Sequence, residues 1–205
     1  MSGDLKLMRI FTTPIATHRL PDCAKMNAEL TQLITDMEQR SASTGRSNVG
    51  GWRSDNRLLD SDEFPIKTLR AHIQSVVMQM VQATTGEQGF RGYMKINGWA
   101  NVLRHGNYNT LHNHPDSVWS GVYYVHAGSQ TGASLSGVLE LVDPRPAVAM
   151  VSAPGSLAGM PVRIQPEAGL MVLFPSWLQH QVHPYWGDEA RVAIAFNVPM
   201  AVQGF

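Results

Sequence analysis

One cysteine, Cys23, occurs in the 205 residues. A lone thiol excludes an intramolecular disulfide framework and any cysteine-based zinc or iron–sulfur centre built by a single chain, and it fits a reducing compartment. Charge of one sign is also lacking, since 16 Lys+Arg balance 16 Asp+Glu. That balance removes the electrostatic footprint needed to hold a phosphate backbone, so no nucleic-acid partner is expected. No run of about 18 apolar residues occurs, so no membrane span is expected either. The segment from Met1 to Ile10 has no apolar signal-peptide core. These absences point to a cytoplasmic protein. Apolar residues are not lacking: at 43 % they exclude intrinsic disorder, and the length is ample for one domain with a real core.

Eight histidines are present, three of them between His105 and His114, and the 18 Gly and 12 Pro concentrate after residue 85. The first 86 residues read as a strand and two helices. Leu7 to Ala16 is a short apolar segment interrupted by Pro14. From Asp22 to Arg40, residues Met26, Leu30, Leu33, Ile34 and Met37 form one face of a 3.6-residue period. Asp62 is a plausible N-cap for a second helix, whose stripe is Leu69, Ile73, Val76, Val77 and Met80, with Gly86 at its C′ position. The methionines on both stripes read as core filling.

Beyond Gly86 the period changes. Short apolar runs at Gly92 to Arg104, Val118 to His126, Gly137 to Val142, Val162 to Gln165, Leu170 to Phe174 and Arg191 to Val198 are separated by Gly, Pro, Asp and Ser. Six or seven strands with no helical pattern between them predict a mainly β fold, an antiparallel sandwich or jelly roll, with the N-terminal helices packed on one sheet. The expected organisation is one domain over 1–205, with the strand and helices in 1–86 and a β-barrel core in 87–205.

The informative segment is Asn107-Tyr-Asn-Thr-Leu-His112-Asn-His114-Pro-Asp116. Residues i and i+2 of a strand share a face, so His112 with His114, or His114 with Asp116, can approach one metal ion. Such a pair is weak evidence until a distant third ligand joins it. His180, between two apolar runs, can meet the pair at the mouth of a jelly roll. Imidazole and carboxylate ligands suit Fe(II). Arg191, eleven residues further on, can reach the same cavity. A buried Arg beside a metal is costly unless it holds an anion, and its planar fork fits a carboxylate.

The stretches Trp99-Ala-Asn101, Gly106-Asn-Tyr108-Asn109, His112-x-His114-Pro, Ser120-Gly-Val-Tyr123-Tyr124, Phe174-Pro-Ser-Trp-Leu-x-His180 and His180-x-Val-x-Pro-x-x-Gly187-x-x-x-Arg191, with Gly51-Trp52 upstream, span about residues 50–198. On these motifs the chain resembles the 2-oxoglutarate/Fe(II)-dependent dioxygenase superfamily, close to the bacterial and phage 2OG-Fe(II) oxygenases. The resemblance implies a double-stranded β-helix with Fe(II) and 2-oxoglutarate as cofactors. It implies hydroxylation of a substrate with release of succinate and CO₂. It makes His180 the distal iron ligand and Arg191 the anchor of the distal carboxylate of 2-oxoglutarate. Tyr123, and less strongly Asn101, match positions that hydrogen-bond the co-substrate. The proximal ligands are either His112 with His114 or His114 with Asp116. Ala193 departs from the pattern, because many relatives carry there a hydroxyl that bonds the co-substrate carboxylate.

The other titratable and aromatic residues have plain structural readings. His18, His72, His105 and His126 lack a partner pattern, and His183, three residues after His180, reads either as a group neighbouring the site or, more simply, as solvent-exposed. Trp119, Trp177 and Trp186 flank the expected mouth. Two competing functions stay open: a cupin-like metalloenzyme using His112, His114 and His180 without 2-oxoglutarate, and a non-enzymatic jelly-roll module. The substrate is expected to be a small molecule or a protein, and a homodimer through the N-terminal helices is conceivable.

Overall fold

The structure, a computed structural model, describes residues 6, 8, 10–85, 92–129, 135–150 and 159–202. The expected C′ glycine, Gly86, lies outside the described residues. Two helices form where the apolar period is 3.6 residues: α1 (Ala24–Arg40) and α2 (Phe64–Thr85). All five stripe residues of α2 are buried, as are Leu30 and Ile34 of α1, while Met26, Leu33 and Met37 are half-buried against the same core. α1 starts two residues later than expected because Asp22 adopts a left-handed turn (φ 49°). Asp62 does not cap α2. Its carboxylate pairs with Lys67 at 3.1 Å, and the Ser61 hydroxyl accepts the Glu63 N–H. No helix among the described residues is long and apolar enough to cross a membrane.

The strands, numbered along the chain, make two facing sheets in which every pairing is antiparallel. The larger runs in the order β1 (Ala16–Arg19), β10 (Leu170–Pro175), β7 (Trp119–His126), β12 (Arg191–Val198), β5 (Asn97–Leu103) and β3 (Trp52–Arg53). The smaller runs β2 (Asn48–Val49), β6 (Tyr108–His112), β11 (His180–Val182), β8 (Leu139–Leu141) and β9 (Val162–Ile164). A separate ribbon pairs β4 (Gly92–Met94) with β13 (Met200–Val202). This is the jelly roll expected from the strand texture, but the first strand is Ala16–Arg19 rather than the Pro14-interrupted run before it. The short strands β2, β3, β6 and β11 carry no apolar alternation, because one side of each borders a polar cavity or solvent; periodicity could not announce them.

The larger sheet is covered on both faces, which explains its long buried runs. One set of alternate residues packs against the helices: Ile194, Phe196 and Val198 of β12 and Tyr123 and Val125 of β7 share a core with Leu30, Ile34, Ile73 and Val77. The opposite set faces the smaller sheet, where Tyr124, Val172, Phe174 and Ala193 pack with Leu139 and Leu141. The period of two thus separates a structural face from a cavity face.

Gly121 is a position where helix-side packing leaves no room for a side chain. A Cβ there would collide with the Phe196 ring and lie 2.7 Å from the Val172 carbonyl oxygen. Gly121→Ala is expected to destabilise the fold by about 1–3 kcal/mol through overpacking. The check is the urea midpoint of unfolding; an unchanged midpoint would mean that Phe196 swings aside freely.

Candidate metal centre and its cavity

His112 closes β6 and His180 opens β11, and the two are direct cross-strand partners. Residues so paired hold their Cβ atoms about 4.5–5.5 Å apart, and these imidazole centroids are 4.3 Å apart. His114 lies just beyond β6. Its backbone N–H donates to the Ser176 carbonyl at 2.9 Å, which draws it toward the β10–β11 connection. Its ring centroid is 5.0 Å from that of His112 and 5.1 Å from that of His180. One ligand atom from each of the three residues lies within 4.8 Å of the others. Asp116, with φ 63°, borders the cavity but is outside this cluster.

The backbone fixes the tautomers. Nδ1 of His112 donates to the Thr110 carbonyl at 2.7 Å and Nδ1 of His180 to that of Leu178 at 2.8 Å, leaving both Nε2 atoms unprotonated; that of His112 accepts the Ser47 hydroxyl, which an ion would displace. Burial and the proximity of the other rings hold these imidazoles neutral. His180 is lowered to about 3 by burial first and His112 second, and His114 to about 4 by burial, His112 and Arg53. His112 is lowered as well, chiefly by burial. Phe174 packs against His180 at 4.7 Å and Trp99 against His114 at 5.6 Å, so the ring positions are braced by aromatic walls. Ser47 sits 3.2 Å from His112 Nε2.

The histidines open into a cavity of about 700 Å³ between the sheets. Arg191, Ala193, Ala195 and Asn197, alternate residues of β12, line it. Arg191 is fully buried, and its guanidinium lies over the Tyr124 ring, 5.0 Å from the centroid. Among the described residues it forms no ion pair. Burial lowers its proton affinity and raises the Tyr124 phenol. Among the described residues three buried polar atoms lack a hydrogen-bond partner: Arg191 Nε, Tyr124 Oη and Asn101 Oδ1. All three belong to residues lining this cavity, and they converge for a topological reason. Ala193 is flanked by Asn101 on β5 and Tyr124 on β7 as its direct strand partners, and Arg191 lies two residues away on the same face. Two of the three atoms, Arg191 Nε and the Tyr124 hydroxyl, are donors beside a buried cation, which is what a site for a carboxylate looks like without its ligand; Asn101 could meet a carboxylate only through its amide N–H.

The expectation for Tyr123 has to be corrected. Its hydroxyl donates to Asn27 Oδ1 on α1 at 2.7 Å, and its ring is in the helix-side core. Successive strand residues point to opposite faces, so Tyr124 takes the cavity position. His183 is also not solvent-exposed: it bonds Glu140 at 3.1 Å with a side chain only 19 % exposed. Trp119, Trp177 and Trp186 do not line the cavity, whereas Trp99 does. Sequence reading also missed Arg53, which sits on a two-residue strand. It lies 6 % exposed with its guanidinium 4.5 Å from the Trp99 centroid. Burial and the neighbouring Arg46 charge lower it to about 10, with Asp55 acting the other way.

Comparison with known proteins bears directly on this site. Residues 97–197 match a family described as "Putative 2OG-Fe(II) oxygenase". No curated protein matches the chain. Among solved structures, a Pseudomonas putida prolyl-4-hydroxylase is similar over 94 % of this chain and 95 % of its own, at 16 % identity and a TM-score of 0.65. A Trichoplax adhaerens prolyl hydroxylase in complex with a hypoxia-inducible-factor peptide fragment is similar over 90 % of this chain and 82 % of its own, also at 16 % identity and 0.65. Streptomyces hygroscopicus HygX, with nickel and 2-oxoglutarate bound, is similar over 92 % of this chain and 83 % of its own, at 11 % identity and 0.62. At these identities the likeness is one of fold. The histidine cluster, Arg191 and the cavity-facing strands that carry Asn101 and Tyr124 all fall inside the matched segment, and the chain belongs, through residues 97–197, to the 2OG-Fe(II) oxygenase family.

Proposed function

We propose that His112, His114 and His180 hold Fe(II) and that Arg191, helped by Tyr124 and Asn101, holds the distal carboxylate of 2-oxoglutarate. The observation that carries this reading is the buried Arg191 with its Nε and the neighbouring Tyr124 hydroxyl both unpartnered, in the same cavity as the three neutral imidazoles. Three imidazoles suit Fe(II), and the remaining coordination positions are left for co-substrate and O₂. With both groups bound, the chemistry supplied is hydroxylation of a C–H bond by O₂, as 2-oxoglutarate is converted to succinate and CO₂.

The chain's own residues do the rest. Thr110 and Leu178 fix the ring tautomers through their carbonyls. The guanidinium of Arg191 neutralises and orients the co-substrate. Ala193 offers no hydroxyl, and Tyr124, its direct strand partner, supplies one from the neighbouring strand. A three-histidine metalloenzyme of cupin type, or a module with structural histidines, would leave Arg191 as a buried cation with no function to offset its cost. The substrate is a small molecule or a protein side chain. A single cysteine and neutral overall charge support a cytoplasmic enzyme with no nucleic-acid partner.

The test is an anaerobic Fe(II) titration of the metal-free protein, with and without 2-oxoglutarate, following the weak visible charge-transfer band of the iron–co-substrate chelate. A band that needs both additions is expected. Iron binding without the band would favour the cupin-type reading, and no iron binding would remove both.

The two neighbouring tyrosines make a sharper comparison. Tyr124→Phe is expected to weaken 2-oxoglutarate binding by about 10–100-fold, the worth of one hydrogen bond to a charged group. Tyr123→Phe leaves that affinity unchanged but costs about 1 kcal/mol of stability, because Asn27 loses its partner. Isothermal titration and thermal unfolding read the two effects separately; equal losses of affinity would reverse the assignment.

A further inference from the structure

The geometry points to a substrate that is an organic anion, its acidic oxygens held by Arg53 and Arg46 while the carbon to be oxidised lies near the histidines. The inference rests on the oxygenase reading, and it starts from Arg53. The side chain is buried, and three of its N–H donors go to neutral acceptors: Thr44 Oγ1 at 2.8 Å, the Ser54 carbonyl at 2.9 Å and Asn56 Oδ1 at 2.5 Å. Among the described residues it forms no ion pair. Asp55 acts on it only at a distance, its carboxylate being paired with Arg57 at 3.4 Å; a desolvated cation with no carboxylate bonded to it is expensive, and a structure that retains one in a cavity wall has a use for it. Arg46 lines the same cavity, is exposed and likewise forms no ion pair among the described residues. Two guanidiniums facing one cavity repel each other unless an anion lies between them.

The charge in the cavity agrees. Its lining carries Arg46, Arg53 and Arg191 against a single carboxylate, Asp116. The ligand cluster is all histidine, so it contributes none of the negative charge that a carboxylate ligand would bring. The doubly negative co-substrate is matched by Arg191 and the divalent ion, which leaves Arg46 and Arg53 for another anion. Position links that pair to the reaction centre. The Trp99 ring touches the Arg53 guanidinium (4.5 Å from its centroid) and also the His114 ring at 5.6 Å. An anion at Arg53 would therefore sit one indole away from the proposed ligand His114. Carboxylates and phosphates both match the arginine fork, and the shared feature is an oxyanion.

The experiment is a fluorescence titration of the protein loaded with Mn(II) and 2-oxoglutarate, in separate arms with inorganic phosphate and with acetate. Trp99→Phe identifies the part of the signal that comes from the indole at the site. The expected result is a saturable Trp99 response to at least one anion, weakened about tenfold in both Arg46→Gln and Arg53→Gln, the effect of one lost charge-assisted contact. Affinity for 2-oxoglutarate should stay unchanged in both variants. Arg46 is exposed, so its variant remains informative even if Arg53→Gln unfolds. A response to phosphate alone identifies a phosphorylated substrate, and one to acetate alone a carboxylic acid. No saturable response, or equal responses in wild type and Arg46→Gln, overturns the proposal. Loss of 2-oxoglutarate binding in both variants also overturns it, by assigning the pair to the co-substrate. An intact anion response in a wild-type protein that binds no 2-oxoglutarate would sink the oxygenase reading instead.

Discussion

Arg191→Met is expected to lower 2-oxoglutarate affinity by several hundred-fold while leaving Fe(II) binding intact. A carboxylate pressed into the cavity without the guanidinium would be a buried charge lacking its partner, which costs about 3–5 kcal/mol. Tyr124 and Asn101 cannot make up the difference, since neither carries charge. The same substitution should have the opposite effect on the protein without co-substrate. There the guanidinium is fully buried with Nε unpartnered, and replacing an uncompensated cation by an apolar chain of similar length is neutral or stabilising. Two measurements check this. Calorimetric titration of 2-oxoglutarate should show the loss, and thermal unfolding without co-substrate should show a Tm equal to or above wild type. A variant that binds 2-oxoglutarate normally would remove Arg191 from the site. A variant strongly destabilised without co-substrate would mean that Arg191 is a structural group first.

His180→Ala carries the other large effect. His180 is the most buried of the three imidazoles and the direct cross-strand partner of His112. Its loss leaves His112 and His114 as the remaining donors. Removing even an outer partner of a metal ligand costs about 10–100-fold in affinity, so loss of the ligand itself should exceed about 100-fold. Anaerobic Fe(II) titration reads this directly, and the visible band with 2-oxoglutarate should vanish. Asp116→Asn is the matched control. Its carboxylate lies outside the cluster, so Fe(II) affinity should barely change. Comparable losses in the two variants would restore Asp116 as a ligand.

The amino-acid sequence alone was enough for the features that depend on local periodicity and spacing. The stripes of α1 and α2 repeat every 3.6 residues, and the long strands β7, β10 and β12 appear as apolar runs between turn residues. The His180-to-Arg191 pattern was legible because one short connection joins His180 to a strand whose alternate residues enter the cavity. The choice of tyrosine was not legible. β7 is buried on both faces, so its apolar run carries no sign telling which residues point inward; only the packing of Tyr123 on Asn27 and of Tyr124 under Arg191 decides it. The proximal ligands were ambiguous for a similar reason. A spacing of two fits His112 with His114 and His114 with Asp116 equally well; the fold pairs His112 with His180 and draws His114 toward Ser176, which is why the first set is the one proposed. Arg53 was invisible because its strand is two residues long and its meaning comes from Trp99 and Arg46, 46 residues after it and 7 before it in the chain. Local patterns are written along the chain by the geometry of helix and strand, whereas a cavity is assembled from residues that only long-range strand pairing brings together.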